Sequence, residues 1–496
     1  MILDRDSRFP ASAPMVDDLG AAMRVTRWAQ AVWGCTPIQQ RLRILRRFRS
    51  NVAAGGAAIA ELSAQVRQRP IEEVLASEVM PLVEACRFLE REAASVLAPR
   101  RLGAAGRPLW LGRVRTQVTR EPLGVVLIIA PSNYPLLLPG VQVLQALAAG
   151  NAVWVKPAPK TSGPLLKVAS LLVEAGLDPK LIKILPESVE TARAAMSAGI
   201  DKVLFTGSSS AGRDVLAFLA PRAIPATVEL SGVDPVVILP DADLDLAADA
   251  LAFGLGLNSG RTCMAPRRVF VPAAVLSALE ERLAARLKAG WVSTLPSPQI
   301  LLVDGHPLRP DALEAGARWV VGSAHRGPAV LSGIRPDSRI LQSEWMSPLL
   351  VLVAVEHEDE AVRCANDCAY ALGASVFTRD EAAGWDLAHR LRGGVVSIND
   401  LIVPTGDARI PFGGRGLSGF GVTRGPEGLL DLTVPKVVTC TAGRFRPAFA
   451  APQAGDAALF GGYLRCAHSL SIFDRCAGLL EMLRALATRS RRNQDL

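Results

Sequence analysis

The chain is 496 residues long, with 50% hydrophobic and 21% charged residues, a balance that excludes a disordered or low-complexity protein and allows two cores of ~200 residues each. The formal net charge is +8 with a pI of about 9.3; the excess reads as spread thinly along the whole length, and without aromatic interleaving or zinc spacing no nucleic-acid partner is expected. Eight cysteines, at 35, 86, 263, 364, 368, 440, 466 and 476, make no paired framework for a chain this size, which fits a reducing, cytoplasmic compartment.

Met1 to Ser12 carries charges at 4, 5, 6 and 8 and no apolar run, so no secretory signal is expected. Residues 17 to 100 repeat apolar side chains every three or four positions and read as helices, with Pro70 and Pro81 as breaks or first turns. Within them Leu42, Leu45 and Phe48 share one face of the run Arg41 to Arg49, which puts its arginines on a solvated face. Residues 108 to 121 alternate around Val114, Thr116 and Val118, a strand signature. From Pro122 to Val155 there are 34 residues without a charge. Pro131, Pro135, Pro139, Gly140 and Gly150 interrupt the run too often for a membrane span, so it reads as strand (Gly124 to Ala130), helix (about 139 to 149) and strand (Ala152 to Val155) of a buried parallel sheet. Asn133, in the loop after the first of these strands, has an amide able to donate to an oxyanion; in isolation it is an ordinary turn asparagine. Helix Gly163 to Glu174 and strand Leu181 to Leu185 follow. Lys202 to Thr206 then leads into Gly207-Ser208-Ser209-Ser210-Ala211-Gly212, a glycine turn opening a helix, whose N–H groups suit a pyrophosphate.

Glu229 lies in the apolar run Ala226 to Leu230, where desolvation would raise a carboxylate enough to activate water. Val236 to Leu239 is a strand, and Asp241, Asp243 and Asp245 cap the next helix, Leu246 to Phe253, rather than bind metal. Cys263 follows Asn258, Ser259 and Gly260 in a small-residue turn. An average cysteine is a small buried hydrophobe, but at such a turn the sulfur can face a cleft and act as a nucleophile. Arg268 to Val271 is a strand and Ala273 to Lys288 a helix, whereas 291 to 340, interrupted by six prolines, is the least legible stretch. Glu344 is an acid beside Trp345; 366–379 and 394–399 contain strands; Pro411 to Gly421 is a structural glycine loop; Leu432 to Thr441 is a last strand. Phe445 to Phe460 reads as a linker. Ser469 to Thr488 forms an amphipathic helix with Ile472, Phe473, Cys476, Leu479, Leu480, Leu483 and Leu486 on one face, which packs on the parent enzyme or a partner subunit, with membrane-surface docking as the second reading.

Several of these segments together resemble the aldehyde dehydrogenase superfamily from about residue 120 to 440: Asn258-x-Gly260-x-x-Cys263, Glu229-Leu230-x-Gly232 placed 34 residues upstream, Pro131-x-Asn133-Tyr134-Pro135, Phe205-Thr206-Gly207-Ser208 and Pro411-Phe412-Gly413-Gly414-x-x-x-Ser418-Gly419. The resemblance implies an α/β fold: a doubly wound parallel-sheet cofactor domain (1–107 and 122–232), a second α/β catalytic domain (233–430), and a small β oligomerisation arm (108–121 and 431–442). Residues 443–496 form an extension beyond the family core. It implies an oxidoreductase that turns an aldehyde into an acid with NAD or NADP, and a homodimer or homotetramer. In that reading Cys263 is the nucleophile, Glu229 the base and Asn133 the oxyanion donor. Lys156, Lys160, Phe205, Gly207, Ser208, Gly212, Leu230, Glu344 and Met346 bind the cofactor, and no metal takes part. Pro159, followed by Lys160, stands where NAD-preferring members have a glutamate, so NADP is expected to be accepted. Arg261 replaces a common glutamine and either lowers the thiol pKa or pairs an acid; Met346 and Ser347 replace Phe and Gly, and Gly416 a lysine. The stretch 291 to 340 is shorter than in the family, which, with the apolar tail, leans toward hydrophobic aldehydes. Two alternatives stay open: acyl transfer to CoA or phosphate, and a non-catalytic assembly protein that kept the fold.

Overall fold

The computed structural model describes residues 19–111, 113–289, 302–303, 306–307, 316–323, 326–443, 449 and 451–492. The first twelve residues and much of the proline-rich stretch 291 to 340 lie outside the described residues. The chain divides into two compact units, Met1–Arg101 with Gln117–Val438, and Leu102–Thr116 with Thr439–Leu496.

The large unit opens with α1 (Leu19–Cys35), α2 (Ile38–Arg67), α3 (Ile71–Val74) and α4 (Met80–Val96). Pro70 precedes α3 and Pro81 sits in the first turn of α4, where a missing N–H costs nothing. Leu45 and Phe48 are buried as their spacing requires, but so is Arg41, at 8% exposed with no partner on Nε or Nη1. The all-solvated reading of the basic run is therefore corrected: Arg41 turns inward because Gly150, opposite it, has no side chain, and its Nη1 lies 2.1 Å from where a Cβ would be. Arg49 behaves as expected, gripping Glu90 through Nε and Nη2 at 2.6 and 3.1 Å.

After β1 (Arg100–Leu102) and β2 (Val114–Pro122), strand β3 (Val125–Ile129), helix α5 (Leu137–Ala149), β4 (Ala152–Lys156), α6 (Ser162–Glu174), β5 (Ile182–Ile184), α7 (Val189–Ser197), β6 (Lys202–Thr206), α8 (Ser209–Leu219) and β7 (Ala226–Glu229) build the first sheet. Its five strands run parallel in the order β7-β6-β3-β4-β5. Every residue of β3 and β4 is buried, as are all of α5 from Pro139 to Ala149. That is why the stretch carries no charge: it is covered on both faces.

The next part of the chain holds β8 (Asp234–Ile238), α9 (Leu244–Gly256), β9 (Pro266–Pro272), α10 (Ala273–Lys288), β10 (Leu302–Val303) and β11 (His306–Pro307), β12 (Arg318–Ser323), β13 (Arg326–Ser332), β14 (Leu349–Val355), α11 (Glu358–Asn366), β15 (Tyr370–Ala371), β16 (Gly373–Phe377), α12 (Glu381–Arg390) and β17 (Val395–Ile398); all of these strands but β10, β11 and β15 form a second sheet. Its order is β12-β13-β14-β9-β8-β16-β17, parallel except for β12 on β13. The glycine loop then returns through β18 (Arg415–Gly416) and β19 (Gly419–Phe420), and β19 adds antiparallel to β7 of the first sheet. Gly419 permits this close approach, since a Cβ would lie 1.9 Å from Val228 O. Helix α13 (Gly425–Leu430) and strand β20 (Thr433–Thr441) follow, and β20 joins β1 and β2 in a three-stranded sheet.

The small unit contains α14 (Asp456–His468) and α15 (Ile472–Arg492), packed as a hairpin. Gly462 and Gly478 meet at the crossing; a Cβ on either would fall 2.7 or 2.5 Å from the other's carbonyl oxygen. Two expectations are corrected here. Part of the supposed linker is α14, whose two adjacent glycines, Gly461 and Gly462, disguise a helix in the sequence. The positive charge is not spread thinly: this unit holds eleven arginines, no lysine and four acids, a formal +7, which leaves +1 for all the rest. Helix α15 packs on α14 through the side bearing Gly478 and Ala485, while Ile472, Phe473, Leu479, Leu480, Leu483 and Leu486 are exposed among the described residues.

Candidate active site

Cys263 lies between the 3-10 turn Leu257–Gly260 and β9. Asn258, Ser259 and Gly260 take positive φ values of 50, 56 and 70° in succession, a left-handed bend that delivers Cys263 at its end. A Cβ at residue 260 would lie 2.5 Å from Pro348 Cα, so only glycine fits. Arg267, fully buried, fastens the bend: its guanidinium donates to Gly260 O at 2.7 Å, Thr262 O at 3.1 Å and Ser347 O at 2.8 Å. The sequence reading passes over it; two adjacent arginines in an otherwise apolar strand are the signal that marks it.

The Asn133 loop is tied to the same bend. Asn133 Nδ2 donates to Arg261 O at 3.0 Å, Asn258 Nδ2 donates to Asn133 O at 2.8 Å, and the Tyr134 hydroxyl bonds Thr262 Oγ1 at 2.6 Å. Beneath both loops, buried Glu78 accepts from the N–H groups of Leu136 and Leu137 at 2.9 and 3.1 Å and from Arg69 at 2.7 Å. Glu73 accepts from Arg69 at 2.9 Å and from the Asn258 N–H at 3.0 Å. These groups come from the helical start, far away in sequence, so no local pattern announces them.

Glu229 ends β7, opposite Thr206 of β6 and Gly419 of β19. Its carboxylate accepts from Thr206 Oγ1 at 3.2 Å and from the Thr423 hydroxyl. Burial pushes this carboxyl above the usual range, against the opposing pull of Thr423, Arg424 and Thr206. Burial likewise pushes the Cys263 thiol up to about 12, Asp234 and Glu229 add to the rise, and Arg424 and the Met264 N–H oppose it. Arg424, not Arg261, is the cation that acts most on both groups. Its guanidinium lies 4.4 Å from the Phe412 ring centroid and donates to Thr405 O at 2.6 Å.

Cys263 borders two cavities. One, of about 280 Å³, is also lined by Asn133, Gly207, Ser208, Glu229, Leu230, Glu344 and Met346, so the three expected catalytic residues and five of the expected cofactor residues share a wall. Glu344 there accepts from the Ser231 hydroxyl and, at 3.3 Å, from Tyr370. The other cavity, of about 400 Å³, is largely apolar, lined by Leu137, Leu138, Phe253, Leu257, Ile402 and Val403, with Glu73 and Arg424 in its wall. Four expected cofactor residues are not on either wall. Phe205 and Gly212 lie behind them, packed against Gly207 and Leu230. Lys156 ends β4, buried, its ammonium held below the ordinary value by burial against the pull of Glu187. Lys160 is exposed, and its backbone N–H, with those of Thr161 and Ser162, donates to Glu187. Glu187 is a further residue the sequence reading omits.

The residues present fit a dinucleotide: Ser208 caps α8 by accepting from the Ala211 N–H at 3.3 Å, the helix N-terminus opens on the smaller cavity, and Lys156 supplies a cation. Among the described residues no group of three or more His, Cys, Asp or Glu side chains is placed to hold a metal. Asp243 instead accepts from the N–H groups of Asp245 and Leu246 at 3.1 Å, capping α9. All eight cysteines are free.

Two mostly parallel α/β sheets, with a cysteine, a buried carboxylate and an amide lining one cavity, are the arrangement of a nicotinamide-dependent dehydrogenase fold. A family model described as the aldehyde dehydrogenase family matches residues 10–438, and the chain belongs to that family; it is an NAD(P)-dependent aldehyde dehydrogenase. It is 31% identical over 442 residues to a putative succinate-semialdehyde dehydrogenase [NADP(+)] of Mycolicibacterium smegmatis, covering 85% of this chain and 84% of the relative. It is 30% identical over 444 residues to a 4,4'-diapolycopene aldehyde oxidase of a Methylomonas species, covering 86% and 82%. Among solved structures, a Mycobacterium tuberculosis aldehyde dehydrogenase complexed with NAD+ superposes with a TM-score of 0.79 at 27% identity, covering 88% of this chain and 92% of that one. Betaine aldehyde dehydrogenase of Staphylococcus aureus shares the fold, with a TM-score of 0.78 at 24% identity over 89% and 91%.

Proposed function

We propose that the chain oxidises an apolar aldehyde to its carboxylic acid. The observation that carries this reading is Cys263 on the shared wall of a cavity bearing Asn133, Glu229 and Glu344 and of a second, largely apolar one. The aldehyde enters the apolar cavity; Glu229 takes the Cys263 thiol proton and passes it to solvent, Arg424 favours the thiolate, and Sγ attacks the carbonyl carbon. The Asn133 amide and the Cys263 N–H hold the oxyanion of the thiohemiacetal. Lys156, Ser208 and Glu344 would hold a nicotinamide dinucleotide, which when bound would supply the acceptor for the hydride lost from this carbon. Glu229 takes a proton from water, which attacks the resulting thioester, releasing the acid and restoring the thiol. In balance, aldehyde, oxidised cofactor and water give acid, reduced cofactor and a proton. Retention of Glu229 favours water over CoA as acyl acceptor, and the intact trio favours catalysis over a scaffold role.

Both NAD and NADP serve in this reading, because Lys160 would offer a cation, where NAD-preferring members have an acid nearby, to a bound cofactor's 2′-phosphate, and Glu187 is engaged by three backbone N–H groups. The exposed Val434, Val437 and Val438 of β20 support pairing with a second copy as a homodimer or homotetramer, which sedimentation equilibrium measures. NADH and NADPH formation across aldehydes of graded chain length, with Cys263→Ala as control, tests the activity; a preference for short, charged aldehydes over apolar ones would overturn the substrate class.

A further inference from the structure

We propose that the small unit docks on an anionic lipid surface through the outer face of its helical hairpin. No helix of the described residues is long and apolar enough to cross a membrane, so the contact is peripheral. At the hairpin tip Leu470 is 104% exposed, Phe473 84% and Ile472 64%. At 100° per residue, Leu486, Leu479, Ile472, Leu483, Leu480 and Phe473 span an arc of ~140°, and Arg475 and Arg484 fall on its two margins. On α14, Phe460 and Leu464, one turn apart, are exposed as well. The interior of the hairpin is already filled by the Gly462–Gly478 crossing, so this apolar surface is not needed to hold the two helices together.

What covers it is indicated by charge. A formal +7 is concentrated in the unit that bears the apolar arc, against +1 in the rest of the chain. An apolar stripe margined by arginines fits acyl chains below and phosphate headgroups beside them. A second copy fits poorly, since it would bring the same arginine margins and the same excess charge against their like. Tyr463 and Trp110, 5.2 Å apart edge to face in this unit, with Trp110 exposed, add aromatic side chains of the kind found at the headgroup level. A surface enzyme of this kind takes an aldehyde that partitions into lipid; the docking itself does not depend on that reading.

The test is co-sedimentation of the full chain with phosphatidylcholine vesicles with and without about a third phosphatidylglycerol. The expected result is roughly tenfold more protein on the anionic vesicles at low salt, falling steeply at about 0.5 M NaCl. Phe473→Glu with Leu483→Glu removes binding while oxidation of a water-soluble aldehyde and the far-ultraviolet circular dichroism stay unchanged. Arg475→Glu with Arg484→Glu abolishes the preference for anionic lipid. The proposal is overturned if the full chain stays in the supernatant with both vesicles, or if the Phe473/Leu483 variant binds as well as the parent. It is equally overturned if that variant instead dissociates an oligomer seen by sedimentation equilibrium, which would assign the face to a second copy. Vesicle binding without any aldehyde oxidation would leave the docking standing and remove the proposed activity.

Discussion

At the level of single residues the site has a thiol that burial keeps protonated and one guanidinium that works against this. Arg424 acts electrostatically on both Cys263 and Glu229, so Arg424→Met should raise the pH needed for alkylation of Cys263 by iodoacetamide and slow the reaction about tenfold near pH 8. Arg424→Lys should recover part of the rate, which a purely structural loss would not. Glu229→Gln is expected to leave a burst of one reduced cofactor per subunit followed by turnover slowed at least about 100-fold, seen by stopped-flow absorbance. In the parent enzyme deacylation should fall as pH drops through the raised pKa of Glu229, because only the ionised carboxylate accepts a proton. Cys263, Glu229 and Asn133 were legible as candidates because each stands in a short motif that matches the family resemblance. Arg424 and Thr423 were not, because their meaning lies in proximity to Glu229, nearly 200 residues earlier in the chain.

Loops and helix ends carry the next layer. Arg267 joins the Cys263 bend to the loop behind Glu344, and Arg267→Met would strip three buried carbonyl oxygens of their donor; a loss of about 3 kcal/mol in urea unfolding is expected, with cofactor KM rising as well. At the start of α6, burial alone would raise Glu187, but hydrogen bonds from Lys160, Ser162 and Thr161 outweigh it and hold its carboxyl below the usual range. It is therefore ionised at neutral pH beside the cation Lys156. Glu187→Gln should raise the NADP over NAD ratio of kcat/KM by about tenfold, the size expected for removing one like charge near a phosphate; an unchanged ratio would place the ribose elsewhere. Many strand and helix positions follow from periodicity, but α7, α11, α12, α13, α14 and β14 do not: α7 is short and polar, and α14 is glycine-rich.

For the large unit as a whole, the least comfortable group is Asp234, which burial pushes up to about 8 although the Gly373 N–H, Arg267 and Arg268 favour its charged form. A carboxyl raised in the folded state stabilises most at low pH and loses that contribution as pH rises from its unfolded value of 3.8 through about 8. Asp234→Asn should therefore gain thermal stability over the parent progressively across this interval, reaching a plateau above it. Because Asp234 also raises Cys263, the same variant should alkylate faster at alkaline pH. A melting temperature that differs by the same amount at every pH would contradict this.

The buried strands and helices around the uncharged run follow from local residue chemistry, since such runs must be covered on both faces, while the two-domain plan and the candidates Cys263, Glu229 and Asn133 follow from short motifs that resemble the family. Distribution in space follows from none of this. Which arginine faces the thiol, which acids brace the two loops, where the positive charge collects and which side of the last helix stays bare are settled by contacts between segments tens to hundreds of residues apart. A linear reading sees each charge and each apolar side chain without its neighbour, and it is the neighbour that sets the energy.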